Sequence, residues 1–375
     1  MNKIIIFNPV NSVNRDLKSK IQRDDCICES VNSITEFESI IAREEDAIII
    51  YLEEKEQLYS ISIERAFEQN KKNYLIVLTR ESKFNESYLT NAHRVLPFDI
   101  KAEKLNSHIE ELLRLKEYSY PKELLLKIRS MGSIPVLPEI YIRLERELCK
   151  PIVSNIRIAE IISSDAVIVA KILHIAHSAF FNMPEGMLDL TYAINLLGIN
   201  IVKTIVLHTK IFMLKDFSEP AREVLKRIGR HSIEVAKLSK RILENEKASK
   251  QEIERAYIAG LLHDIGKVLL VQFADSSKNI DYFPHANQVN TTEKENELFG
   301  MNHVDAGLYI LTLWGFNKEI LEVVKFHHHS DCVKDNTISV LASVYLANLL
   351  TYEHTNFVDE LPASLKEKIS IFINA

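Results

Sequence analysis

The hydrophobic period of this chain changes once, near residue 118, and that change constrains its fold more than any other feature. Before it, short apolar runs rich in β-branched residues recur at 3–7, 47–51 and 74–78, with weaker ones at 26–29 and 93–95. Each reads as a strand buried on both faces. Stretches with helical period lie between and after them, at 14–22, 34–43, 57–70, 84–89 and 102–116. Buried strands alternating with amphipathic helices predict a parallel sheet covered on both faces. Five such units in fewer than ~120 residues suit a compact flavodoxin-like fold. Beyond Glu117-Tyr118-Ser119-Tyr120-Pro121 the strand signal fades, and amphipathic helices continue to Ile371. The expected fold is therefore multi-domain, α/β over residues 1–117 and an all-α helical bundle over 118–375.

Composition narrows the function classes. The chain has 375 residues, 46% of them hydrophobic and 26% charged, and a net charge of −6. No basic stripe marks a nucleic-acid partner. Cys26, Cys28, Cys149 and Cys332 have neither metal-knuckle spacing nor the look of a disulfide framework, which suits a reducing compartment. The run Ile4-Ile5-Ile6-Phe7 stops at Asn8-Pro9, too short for a secretory h-region. No apolar segment approaches the ~20 residues of a membrane helix. The expectation is a cytoplasmic protein without a membrane or nucleic-acid partner.

The helical part contains polar residues where apolar ones would suffice. Pro135 and Pro138 set an extended entry to a helix, Asp165 reads as an N-cap, and Gly198 reads as a helix end. His231 starts the segment His231-Ser232-Ile233-Glu234-Val235-Ala236. An adjacent pair, His263-Asp264, stands in Leu261-Leu262-His263-Asp264-Ile265-Gly266-Lys267. His303 opens a further helix, His327-His328-His329 closes another, and Asn348 follows Tyr345-Leu346-Ala347. Helical spacing places His231 on a face with Ile228, Val235 and Ile242, and His303 with Gly307, Ile310 and Trp314. His327 follows Ile320 and Val324, and Asn348 follows Leu341 and Val344. Each helix thus aims one polar group at the core. Imidazoles and a carboxylate there can satisfy one another through a divalent metal, with zinc, iron, manganese and nickel all compatible.

Two resemblances follow from these motifs. The first 117 residues resemble the receiver domain of bacterial two-component response regulators. Thr79 ends the fourth strand, and Leu96-Pro97-Phe98 follows the fifth. Magnesium binding in that family needs acids after the first strand, where this chain reads Asn8-Pro9-Val10. Phosphoryl transfer needs an aspartate ending the third strand, which reads Ile50-Tyr51-Leu52 before Glu53 and Glu54. Leu96 stands where those domains carry a lysine. The expectation is a docking or homodimerisation surface without phosphorylation.

The second resemblance begins at Ser133-Ile134-Pro135-Val136-Leu137-Pro138. It continues through Ile158-Ala159-Glu160-Ile161-Ile162-Ser163-Ser164-Asp165, Ala176-His177-Ser178-Ala179-Phe180-Phe181 and Ala193-Ile194-Asn195-Leu196-Leu197-Gly198. This succession is similar to the HDOD family, a signalling branch of the HD superfamily, with residues 118–220 forming an N-terminal helical part and 221–375 an HD-like part. His177 departs from the family's usual asparagine. The superfamily's phosphohydrolases hold one metal with His, His-Asp and a final Asp, and two-metal members add histidines. The resemblance implies His231, His263 and Asp264 for the first set, His303 and His327 (or His328) for the second, and Asn348 in place of the final acid. An amide can still coordinate but brings no charge, so the divalent site would be weaker. Lys267 is read either as a phosphate contact or as an exposed cation past a helix end. No Gly-Tyr-Pro follows His329, unlike the related cyclic-dinucleotide phosphodiesterases. The function implied is a signal-transduction adaptor with no catalytic residues, acting through a protein partner or a nucleotide-type ligand. The alternatives are a metal-dependent phosphohydrolase acting on a nucleotide or cyclic nucleotide, and a metal or haem-type sensor.

Overall fold

The computed structural model describes residues 2–9, 14–21, 23–44, 47–53, 73–79, 94–117, 120, 124, 137–150, 152–213, 217–276, 280, 283, 291–333, 337–351 and 365. Two compact units emerge, Met1–Ser119 with Ile128–Ile161 and Thr312–Gly315, and Tyr120–Lys127 with Ile162–Leu311 and Phe316–Ala375.

The first unit is built on five parallel strands, β1 Asn2–Phe7, β2 Cys26–Val31, β3 Ile48–Glu53, β4 Tyr74–Thr79 and β5 Arg94–Pro97. Their order is β2-β1-β3-β4-β5, the flavodoxin-like order expected from the alternating pattern. Registers such as Ile4↔Ile48 and Ile50↔Ile76 align the apolar runs across the sheet. Ile4 to Phe7, Ile48 to Leu52 and Leu75 to Leu78 are all buried, as strands covered on both faces must be. The helices α1 Asn14–Lys20, α2 Ile34–Arg43 and α3 Ala102–Glu117 follow β1, β2 and β5. Helix α2 turns Phe37, Ile40 and Ile41 inward, and Phe37 stacks on Phe7 at 4.3 Å between ring centroids. Leu105, Ile109 and Leu112 give α3 its buried stripe. The helices expected at 57–70 and 84–89 lie outside the described residues. One expectation is corrected: β3 runs through Glu53, which pairs with Thr79, so an acid does end the third strand.

Compactness groups α4 Glu139–Leu148 with the sheet, although fold class changes near residue 118. Two hydrogen bonds show why: Lys104 Nζ donates to the Leu148 carbonyl at 2.6 Å, and Arg146 Nη2 to the Thr79 carbonyl at 3.2 Å. Most of α5 Asn155–Ser163 belongs to this unit too.

The second unit is helical. It contains α6 Ala166–Ala176, α7 Leu190–Leu197, α8 Ile199–Phe212, α9 Glu219–Asn245, α10 Lys250–Leu262 and α11 Lys267–Ser276. After these come α12 Thr291–Phe299, most of α13 His303–Leu313, α14 Lys318–Phe326, a 3-10 turn at Ser330–Val333 and α15 Val340–Thr351. Local chemistry sets the ends. Asp165 caps α6 as expected, accepting from the backbone N–H groups of Val167 and Ile168, each at 3.1 Å. Gly198, at φ +83°, lets α7 turn into α8 through a bend of 108°. Ser218 caps α9 and Pro220 lies in its first turn, so His231 sits midway along a 27-residue helix rather than at a helix start. Ser249 and Glu252 form a reciprocal capping box at α10. Helix α9 presses its stripe, including Val235, Ala236 and Ile242, against α10 and α15. The continuous stretch Lys250–Ser276 does reach the length and hydropathy of a membrane helix, against the sequence expectation; 89% of its most apolar window is buried within the fold, as a core element requires.

Candidate metal centre

Five segments of the helical unit converge. His231 comes from the middle of α9, and His263 and Asp264 from the turn between α10 and α11. His303 opens α13, His327 follows α14, and Asn348 lies on α15. All six residues singled out in the sequence meet in one place. His263, His303 and His327 are 0% exposed, Asp264 1% and Asn348 5%. Glycine makes the convergence possible. A Cβ on Gly266 would lie 1.9 Å from the carbonyl oxygen of His303, so only glycine lets the His-Asp turn rest on the first turn of α13. Gly260 likewise lets α10 approach the backbone of Ala236 on α9.

Asp264 is the hub. Its Oδ2 lies 3.4 Å from His263 Nε2 and 3.8 Å from His231 Nε2. Its Oδ1 lies 3.5 Å from His303 Nε2 and 3.8 Å from His327 Nε2. Bonds of ~2.1 Å to one tetrahedral cation would put donor atoms about 3.4 Å apart, a spacing these separations match or slightly exceed.

The second layer fixes which nitrogen faces inward. His263 Nδ1 donates to the Gly260 carbonyl at 2.8 Å, His327 Nδ1 to the Val324 carbonyl at 2.7 Å, and His303 Nδ1 to Glu295 Oε2 at 2.6 Å. With the proton on Nδ1, the Nε2 lone pair is left to point into the cluster. His303 Nε2 then lies 3.3 Å from His327 Nε2 and 2.9 Å from His328 Nε2. His263 Nε2 and Asp264 Oδ1 are buried with no hydrogen-bond partner among the described residues. Converging lone pairs and unsatisfied buried acceptors fit a cation.

Protonation states agree. Burial holds the His231 imidazole down at about 3, and holds His327 well below its ordinary value, so both are neutral ligand-type bases. Burial pushes the Asp264 carboxyl up, but the Lys267 ammonium, 2.7 Å from Oδ2, together with the imidazoles of His263 and His303, outweighs it and keeps Asp264 well below the usual carboxylate range. Lys267 is buried in this ion pair, which corrects the reading of it as an exposed cation. Among the described residues, two groups can hold a metal ion: His231, His263 and Asp264, and His303, His327 and His328.

Asn348 behaves differently. Its Oδ1 accepts a hydrogen bond from His231 Nε2 at 2.9 Å, so the amide engages the ring of one member of the first group. Glu295 was missed in the sequence. It stands in Thr291-Thr292-Glu293-Lys294-Glu295, which reads as a solvated helix face, yet it is fully buried and also accepts from the His303 backbone N–H at 2.8 Å. The only signal was its four-residue spacing from buried Phe299. His177 also finds a contact, its Nδ1 lying 2.8 Å from the Leu173 carbonyl oxygen as α6 ends.

The HDOD domain profile matches residues 134–330, more than half of the chain, and this chain belongs to the HDOD family. Among solved structures, a candidate metal-dependent phosphohydrolase from Shewanella amazonensis is similar in fold. It is 24% identical, with 71% of this chain and 90% of that one covered and a TM-score of 0.50. An HDOD domain protein of unknown function from Geobacter sulfurreducens is 21% identical over 67% of this chain and 93% of that one, with a TM-score of 0.49. An uncharacterized protein of Treponema pallidum is 21% identical over 231 residues; the chain spans 42% of that relative's length.

Proposed function

We propose that this chain is a cytoplasmic signal-transduction protein. Its HDOD bundle holds a divalent metal structurally, and it acts through a protein partner or a nucleotide-type ligand rather than through turnover. The observation that carries this reading is the His231–Asn348 pair. An amide stands where hydrolytic relatives carry an acid, and it engages a prospective ligand directly. Fewer anions around a divalent metal weaken its retention, and a hydrolytic site depends on holding its metal. Zinc, iron, manganese and nickel all suit this mixture of neutral imidazoles and one carboxylate. The ligands would be His263, Asp264, His303 and His327, with His231 and Asn348 at the edge. When bound, the metal would supply a Lewis acid and a fixed crosslink between the α10–α11 turn, the start of α13 and the end of α14.

A second reading, a phosphohydrolase acting on a nucleotide or cyclic nucleotide, draws on the convergence of Nε2 lone pairs around both oxygens of Asp264. Elemental analysis of full-length protein purified without chelators, with a phosphodiesterase and nucleotidase panel, separates the two. Bound metal without turnover is expected. Turnover that Asp264→Ala abolishes would favour the hydrolase, and absence of metal would remove both.

A further inference from the structure

A cavity of about 550 Å³ lies in the sheet-bearing unit, separate from the histidine cluster. Its floor is the carboxyl end of the sheet: Thr79 ends β4, Pro97 ends β5, and Phe98 follows. Open α/β sheets bind ligands outside the carboxyl ends of their strands. The opposite wall is cationic, and helical spacing explains why. Helix α4 buries Ile140, Tyr141 and Leu144, which leaves Arg143, Arg146 and, just past its end, Lys150 along another side. Arg157 of α5 completes that wall.

Two carboxylates, Asp99 and Glu147, also line the cavity. Glu147 is taken by Lys150 Nζ at 2.6 Å, and Asp99 is exposed. Arg157 pairs with Glu160, and Arg146 donates to the Thr79 carbonyl. Arg143 is half-buried and makes no hydrogen bond or ion pair among the described residues, so its guanidinium faces the cavity uncommitted. Planar guanidinium groups match phosphate oxygens in pairs, and Phe98 adds an aromatic surface beside them. The volume lies within the range of small-molecule sites, ~300–1,000 Å³.

We infer that this cavity binds a small phosphorylated ligand of nucleotide size, recognised through Arg143 and its cationic neighbours. The ligand would bind non-covalently at the sheet end, on the β4–β5 side rather than over β1 and β3. A domain whose third strand ends in glutamate, not the aspartate that accepts a phosphoryl group, would thus read a phosphate as a bound ligand.

The test is calorimetric titration of the full chain in the presence of chelator, so that metal in the histidine cluster recruits nothing. Pyrophosphate is the minimal probe, ADP the nucleotide-sized one, and adenosine the uncharged comparator. Saturable binding of pyrophosphate and ADP, weakening as salt rises, and none of adenosine, is expected. Arg143→Gln and Arg143→Glu should weaken it at least tenfold with circular dichroism unchanged, and Asp264→Ala should leave it intact. No saturable binding of either anion at millimolar concentration would overturn the inference. So would binding that survives Arg143→Glu combined with Lys150→Glu, adenosine binding equal to that of ADP, or binding that Asp264→Ala removes.

Discussion

Glu295 and Asn348 set the character of the histidine cluster from opposite sides. Glu295 accepts two hydrogen bonds from His303, one from the ring and one from the backbone, which fixes the ring and makes its inward nitrogen a better metal ligand. Glu295→Gln should weaken metal retention by roughly 10–100-fold, read by chelator competition, because an amide can leave the ring in the wrong tautomer. Asn348→Asp should act the other way, restoring an anion beside His231 and strengthening retention; weaker retention would show that the amide is itself needed. Asp165 offers a test away from the cluster. Lys210 and the backbone donors of α6 hold its carboxyl below the ordinary value. A depressed folded pKa means the stabilisation is full above the unfolded value and fades as pH falls through the folded one. Asp165→Asn should therefore lower stability by about 0.5–1 kcal/mol at neutral pH, with the gap from the parent closing in acid. A gap that stayed constant with pH would refute the charge explanation.

At the scale of elements, close helix contacts govern whether the cluster forms. A methyl group on Gly260 would meet the backbone of Ala236 at 2.6 Å, and one on Gly266 the carbonyl of His303 at 1.9 Å. Backbone cannot turn aside as a side chain can, so each alanine substitution should cost roughly 1–3 kcal/mol or more in denaturant unfolding. Gly266→Ala should also lose metal, because it displaces His303, whereas Gly260→Ala should lose mainly stability. Element boundaries also show what the sequence could tell. The strands were legible because they are buried on both faces, which concentrates isoleucine and valine. The face of α9 bearing His231 was legible, but its start was not, since Ser218 and Pro220 sit a dozen residues upstream of the histidine that caught attention. Glu295 escaped because one buried acid in a run of exposed ones leaves no periodic trace. The partner of each ring nitrogen was equally invisible, since carbonyls such as those of Gly260 and Val324 carry no sequence signature.

Across the whole molecule, the two units are stabilised by different means. The sheet unit rests on a doubly covered apolar layer, and the helical unit buries a polar cluster that a cation would complete. Metal that binds only the folded state raises stability by mass action. Scanning calorimetry of the full chain should show that chelation lowers the melting of the helical unit and leaves the contribution of the sheet unit in place. A uniform shift of the whole profile would count against a local site. The depth of the cluster bears on time as well as on affinity. His263, His303 and His327 are sealed from solvent, whereas His328 is exposed and His231 partly so. Among the described residues, those two rings form the exposed edge of the cluster, and an ion held there would leave past them. Its exchange would follow the breathing of the rim rather than the concentration of competitor, making the occupied protein a lasting record of the metal present when it folded.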